Sequence, residues 1–378
     1  MVKESVELKR QNIAVEEIPI AGFDHIEFFV GNALQSAYYF QKGLGFELVG
    51  YRGLETGVRD RVSYVLKQDH TYLILTGALT NKSEIAEQVH EHGDMVRCVG
   101  FRTLDAQRAF EMAVSRGAKA VDEPRVVKSE EGEYVSASVR TYGDTIHTFV
   151  QRQEYKGVFA PGFRAVNRPG SAERPVGLVS IDHIVGNCET GSMDRWAQYY
   201  QDIFGFHVDR YFDADDISTQ YSALQSKVMM NRSGSIKMPL NEPAAGLRKS
   251  QIQEYLDYNM AEGVQHVAIT TRDIISTITQ LRQRGIEFIS VPESYYKGLR
   301  ERGIKVEENM DELQGQGILI DSEDKGYLLQ IFTKPVQDRP TFFFEVIQRR
   351  NGASGFGQGN FQALFEAIER DQADRGNL

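Results

Sequence analysis

Cysteine is scarce in this chain: Cys98 and Cys188 are the only two in 378 residues. Two thiols cannot build the disulfide framework of a small secreted domain, and the chain fits a reducing cytosol. A surplus of basic charge is also missing. The 43 Lys and Arg are outnumbered by 53 Asp and Glu, for a formal net charge of -10, which argues against nucleic acid and anionic membranes as partners. No apolar run is long enough to span a bilayer, and the opening MVKESVELKRQNIAVEEIPI has no signal-peptide core. These absences predict a cytoplasmic protein. The remainder is ordinary globular composition, 41% hydrophobic and 25% charged, long enough for two or three domains with ample core.

The chain is written twice. Phe23-Asp24-His25-Ile26 is echoed by Ile181-Asp182-His183-Ile184, and each is followed by a helix-like stretch with paired tyrosines and then Gly-Phe. MVRCVGF (95–101) is echoed by the stretch VQHVAIT (264–270), and both lead into a helix ending at Arg-Gly. Cys98 to Gly117 and His266 to Gly285 are each 19 positions apart, and Cys98 to Pro124 and His266 to Pro292 each 26. Such repetition predicts modules that each begin strand, helix, strand, two in each half. EYVSASVRTYGDTIHTFVQR reads as a hairpin around Tyr142-Gly143-Asp144, and GILIDSEDKGYLLQIF as its counterpart around Asp324-Lys325-Gly326. The Gly-, Pro- and Arg-rich segment 155–180 reads as a linker.

One carboxylate stands out. TFFFEVIQRR (341–350) reads as a buried strand with Glu345 in its middle, and a lone buried carboxylate costs several kcal/mol unless it meets a partner or a cation. His183 and His266, each on the first strand of its module, can converge with it. Two imidazoles and one carboxylate form the facial set that leaves positions open on iron(II), and they also suit zinc with one open site. The first half is an internal control. It keeps His25 but has Cys98 where His266 stands, and its later segment YKGVFAPGF carries no such carboxylate. The second half is therefore read as the site and the first as structural.

Weaker signals surround this set. Phe361, Leu364, Phe365 and Ile368 fall at i, i+3, i+4 and i+7 of a last helix behind the glycine-rich NGASGFGQGN. That helix is either a lid on the cleft or simple packing. His90 and His92 with Glu87 and Glu91 look like a metal pair but sit just before Gly93, where a solvated helix C-terminus is the plainer reading. GFGQGN has the look of a dinucleotide loop, but the chain has no room for a βαβ unit after it. Both cysteines read as core.

The blocks IDHIVGN, SIKMPLNEPAAGLRKSQIQEYLDY, GVQHVAI, GYLLQIFTKPVQDRPTFFFEVIQR and GFGQGNFQALFEAIE resemble the 4-hydroxyphenylpyruvate dioxygenase family. The first half is similar to it as well. The resemblance implies an α+β vicinal oxygen chelate fold: two tandem domains, each of two βαβββ modules forming an open half-barrel, plus a C-terminal helix. It implies a structural, metal-free domain at 20–155 and a catalytic one at 178–378, with Fe(2+) on His183, His266 and Glu345. The implied substrate pocket draws on Ser226, Asn241, Gln251, Gln265, Gln330, Phe332, Phe356, Asn360 and Phe361. The implied partners are 4-hydroxyphenylpyruvate and O2, with oxygen activated on the iron and no protein nucleophile, in a homo-oligomer (dimer or tetramer). Hydroxymandelate synthases share substrate and ligands, ring-cleaving extradiol dioxygenases share the ligand set, and a metal-free binding protein of the same fold is the reading from outside enzymes.

Overall fold

A computed structural model describes residues 15–166, 174–214, 217–219, 221–323 and 325–377. In the first half, β1 (Ile20–Phe29), α1 (Ala33–Lys42), β2 (Glu47–Arg52), β3 (Arg61–Gln68) and β4 (Thr71–Ala78) form one module. After α2 (Glu84–His92), a second module follows as β5 (Met95–Thr103), α3 (Ala106–Ser115), β6 (Ala120–Ser129), β7 (Gly132–Arg140) and β8 (Ile146–Gln151). A short β9 (Arg164–Ala165) ends this half. The second half repeats the plan with β10 (Leu178–Asn187), α4 (Met193–Tyr199), β11 (His207–Phe212), β12 (Ala223–Met230) and β13 (Lys237–Ala244). Then come α5 (Gln251–Asn259), β14 (Gly263–Thr271), α6 (Ile274–Gln283), α7 (Glu293–Glu301), α8 (Met310–Gln316), β15 (Leu319–Ser322), β16 (Tyr327–Phe332), β17 (Phe343–Arg350) and α9 (Phe361–Asp374).

The repeat is exact enough to reuse its caps. Asp105 and Asp273 each accept the backbone N–H three residues on, starting α3 and α6, as N-cap carboxylates do. Gly117 and Gly285 follow those helices with φ +104° and +86°, a backbone that favours glycine. The sheets run β6-β7-β8-β5-β1-β4-β3-β2-β9 and β11-β12-β13-β10-β14-β17-β16-β15. In each, two βαβββ modules meet where their first strands pair antiparallel, β1 with β5 and β10 with β14. This is the expected tandem half-barrel plan with a C-terminal helix.

Three readings of the sequence need correction. The matched prolines are not equivalent, since Pro124 lies inside β6 while Pro292 caps α7. Proline is tolerated on an edge strand such as β6. Insertion of α7 and α8 before β15 makes β15 the counterpart of β6, so the two hairpins read as repeats are one strand out of step. Asp324 of the second turn lies outside the described residues. Finally, the linker is only partly a linker. Phe159 and Ala160 pack on Val65 and Ile74, and Arg164–Ala165 pairs with β2, so the first half's packing runs past 155; residues 167–173 lie outside the described residues.

Strand alternation splits β17 and the residue before it between two environments. Phe342, Phe344 and Val346 join the large core shared by both halves. Phe342 meets Phe28 of β1 edge-on at 5.0 Å, and Phe344 meets Phe40 of α1 at 5.9 Å. Phe343 and Glu345 face the opposite way, into the concave side of the second sheet. The first half thus backs the strand that carries Glu345.

Candidate metal centre and substrate cavity

His183, His266 and Glu345 meet. They come from β10, β14 and β17, three adjacent strands of one sheet, with His266 in register with Phe343 and Ala268 with Glu345. Their ligand atoms lie within 4.8 Å of one another. His183 Nε2 is 3.0 Å and His266 Nε2 3.5 Å from Glu345 Oε2. All three are buried, at 3%, 8% and 2% exposure. Glu345 Oε1 is buried with no hydrogen-bond partner, the state expected of an oxygen meant for a cation.

Each imidazole is turned by its other nitrogen. His183 Nδ1 lies 2.8 Å from Asp182 Oδ2, and His266 Nδ1 3.0 Å from Gln265 Oε1. Donation from Nδ1 leaves both Nε2 atoms aimed at Glu345, the usual outer arrangement around metal-binding histidines. Gln265 reaches this place through a bulge: Val185 pairs with His266 and Gly186 with Val264, leaving Gln265 as the extra residue. Adjacent side chains therefore both face the cavity.

Burial alone would raise the Glu345 carboxyl, but the two imidazoles hold it down at about 2. Burial would lower His183, yet Glu345 and Asp182 raise it. His266 is lowered, chiefly by burial. Burial likewise opposes the charge of Asp182, which Arg349 and His183 hold well below the usual carboxylate range.

A cavity opens from this cluster. Alternate residues of β12 (Leu224, Ser226, Val228) and β13 (Pro239, Asn241) form one wall, with Gln251 from α5. Phe332, Phe343 and Phe356 form the other, and Phe361, Leu364, Phe365 and Ile368 of α9 cover it. Seven of the nine pocket residues named from the resemblance line it: Ser226, Asn241, Gln251, Gln265, Phe332, Phe356 and Phe361. Gln330 and Asn360 do not. Gln330 lies beneath Gly357, so close that a Cβ there would come 2.1 Å from its Nε2. Asn360 Oδ1 accepts from Tyr295 Oη at 2.7 Å. Among the described lining residues there is no lysine or arginine.

The first half holds the same frame without the two-histidine, one-carboxylate set. In register, Thr148 of β8, not a residue of YKGVFAPGF, takes the place of Glu345. His25 Nδ1 is 2.8 Å from Asp24, Arg152 donates to Asp24 at 2.9 Å, and Cys98 Sγ lies 3.9 Å from His25 and 3.1 Å from Thr148. Phe159 meets His25 edge-on at 5.3 Å, as Phe356 meets His183 at 5.4 Å. Burial would lower His25, but Asp24 and Cys98 raise it to about 10. A raised histidine contributes stability that is full below the unfolded pKa of 6.5 and lost as pH rises through the folded value. His25→Gln is therefore expected to be least stable relative to the parent below pH 6.5. The gap should close by up to about 1.4 kcal/mol per pH unit toward pH 10, as checked by urea melts across pH; a gap that is flat across this range removes the ion pair.

His92 also departs from expectation. It is 1% exposed rather than solvated, with Nδ1 against the Asn259 carbonyl and Nε2 3.1 Å from Asp144. It bridges α2 to the end of α5 and so belongs to the contact between halves. The sequence reading also passed over Asp182 and Arg349, although the Asp of the repeated Asp-His pair was there to be seen.

Residues 16–163 match the family model described as hydroxyphenylpyruvate dioxygenase, HPPD, N-terminal. Residues 180–331 match that of the glyoxalase/bleomycin resistance protein/dioxygenase superfamily. The chain is 49% identical to a 4-hydroxyphenylpyruvate dioxygenase of Danio rerio, over 94% of this chain and 92% of that protein. It is 46% identical to one of Dictyostelium discoideum, over 94% and 100%. A solved mutant of 4-hydroxymandelate synthase from Streptomyces coelicolor superposes with TM-score 0.84 at 29% identity, over 94% of this chain and 99% of that one. With relatives this similar over nearly its whole length, the chain belongs to the 4-hydroxyphenylpyruvate dioxygenase family.

Proposed function

We propose that this enzyme converts 4-hydroxyphenylpyruvate and O2 to homogentisate and CO2, with Fe(2+) held by His183, His266 and Glu345. In this reading 178–378 is the catalytic domain and 20–155, together with the segment to 165 that packs on it, a structural one. The observation that carries the ligand set is the unpartnered Glu345 Oε1 beside two imidazoles whose Nδ1 atoms are already engaged. Bound there, Fe(2+) would supply open positions for a chelating 2-oxo acid and for dioxygen, and one-electron chemistry between them.

The chain's own part is binding, orientation and exclusion of water. Among the described lining residues there is no lysine or arginine, so an anionic 2-oxo acid finds its countercharge at the metal centre, not at the far wall. Gln251, Gln265, Asn241 and Ser226 offer neutral donors and acceptors to orient the phenol and the oxo acid. Ser226 and Asn241 stand opposite each other on β12 and β13. Phe332 meets His266 edge-on at 6.0 Å, and Phe343 stacks on it at 4.9 Å. These rings and the α9 stripe keep the site dry while oxygen is reduced. Gln330 and Asn360 join the pocket in this reading only if the Gly357 segment shifts. We place the enzyme in the cytoplasm as a homo-oligomer; among the described residues no helix is long and apolar enough to cross a membrane.

The likeness to 4-hydroxymandelate synthase keeps benzylic hydroxylation as the second reading, and product identity separates the two. Loading with Fe(2+) under anaerobic conditions, then adding 4-hydroxyphenylpyruvate and O2, is expected to give one homogentisate and one CO2 per O2 without 2-oxoglutarate. 4-Hydroxymandelate as the main product would establish the second reading. Turnover that requires 2-oxoglutarate would overturn both.

A further inference from the structure

Arg349 touches neither the cavity nor the three converging ligand atoms, yet it joins two parts of the site. Its Nε donates to Asp182 Oδ1 at 2.9 Å and its Nη2 to Asp182 Oδ2 at 2.8 Å, and Asp182 Oδ2 in turn lies 2.8 Å from His183 Nδ1. Its remaining arm, Nη1, donates to the Gly355 carbonyl at 2.6 Å. Gly355 opens the segment that leads into α9, and the next residue, Phe356, lies edge-on against His183. Glu323 fixes the same turn from the other side, accepting the Ser354 and Gly355 N–H groups at 3.0 and 2.7 Å. The lid hinge is thus tied to His183 twice, through the Phe356 ring and through the Arg349–Asp182 pair.

We propose that Arg349 is a positioning residue that couples metal ligation at His183 to closure of α9. This rests on the reading that His183, His266 and Glu345 hold a divalent cation. The planar guanidinium is suited to the task because it can grip a carboxylate with two donors and keep a third for a carbonyl, which a lysine cannot do in one plane. Swinging Gly355 and Phe356 outward with α9 would cost Arg349 a hydrogen bond and loosen the carboxylate that orients His183. Linkage then runs both ways: a cation on His183 favours the closed hinge, and the closed hinge raises affinity for the cation by the same factor. The first half supplies a matched control. Arg152 likewise joins Asp24 to a loop carbonyl, with a single donor, Nε, to Asp24 Oδ2 and Nη1 to the Phe159 carbonyl, and with no lid helix attached.

Hydrogen exchange with Co(II) as the probe metal tests the coupling without turnover. In the full-length parent, Co(II) is expected to slow amide exchange across 353–374 about tenfold. Arg349→Lys is expected to bind Co(II), about tenfold more weakly, and to lose that slowing. Asp182→Asn, which cuts the chain of contacts at its other end, should lose it too. Arg152→Lys should match the parent in both measurements. Equal slowing in the parent and in metal-bound Arg349→Lys, or none in the parent, overturns the coupling while leaving the ligand set standing. Failure of the parent to bind Co(II) in calorimetry overturns the ligand set and the coupling with it. Homogentisate formation is a separate readout and tests only the reaction.

Discussion

Glu345→Ala is expected to lose metal and turnover together, with affinity for iron down by at least about a hundredfold. Glu345 is the only anion among the three ligands. Without it two imidazoles remain and no charged ligand, and the carboxylate that helps raise His183 is gone. Removing one partner of a buried ion pair also leaves the other uncompensated. In the metal-free protein, Glu345→Ala should therefore drive His183 to lose its proton at lower pH than in the parent, visible in its ring resonances. His183→Ala and His266→Ala should each lose iron and activity as well. His25→Ala is the control: it leaves the second half intact and should keep turnover, because Cys98 and Thr148 complete no ligand set beside it. Any of the three ligand variants with full iron content and full turnover would strike that residue from the set. Protons compete for the same atoms, so iron retention by the parent is expected to weaken as pH falls and His183 keeps its proton.

The three converging residues were legible because each contradicted its surroundings. A charge among phenylalanines and two strand histidines demanded a partner, and the first half showed the same frame with cysteine in one ligand position. The apolar stripe of α9 was legible from its spacing, and the structure lays all four of its residues over the cavity. What stayed hidden depends on approach in three dimensions. Arg349 sits four residues past Glu345 on the same strand, but its meaning comes from Asp182, 167 positions earlier. His92 sits at a helix end that looks solvent-facing in sequence but is covered by Asn259 of the other half. The inserted α7 and α8 disturb the spacing, so YKGVFAPGF falls where the counterpart of Glu345 is expected; strand register, and the Gln-Arg that follows each position, point to Thr148. Gln330 lies one alternation along β16 from Phe332, on the same face, and is kept from the cavity by the glycine loop above it.

Deleting α9 from Phe361 onward is expected to leave a folded, iron-binding protein that consumes oxygen without a matching yield of homogentisate. Apart from the helix, the cavity is built by the sheet, α5, Ile217 and the Phe356 loop, so the three converging residues survive its removal. The helix contributes closure. Phe361 meets Phe212 edge-on at 5.0 Å, and Glu369, 5% exposed, accepts from Thr219 and Ser222 at 2.6 and 2.5 Å. Arg375 and Asn377 donate to Glu254 at 2.7 and 2.8 Å. Those contacts hold an apolar face over the site, and losing them admits water while dioxygen is being reduced. Phe361→Ala should show a milder uncoupling. One aromatic pair, worth roughly 0.5–1.5 kcal/mol beyond its buried area, weakens the closed state without abolishing it. The ratio of oxygen consumed to homogentisate formed should therefore rise from about one in the parent, modestly in Phe361→Ala and steeply in the truncation. A truncated protein that folds normally and forms homogentisate at the full rate, with the ratio unchanged, would reduce α9 to packing. Closure would then have to come from the Phe356 loop alone.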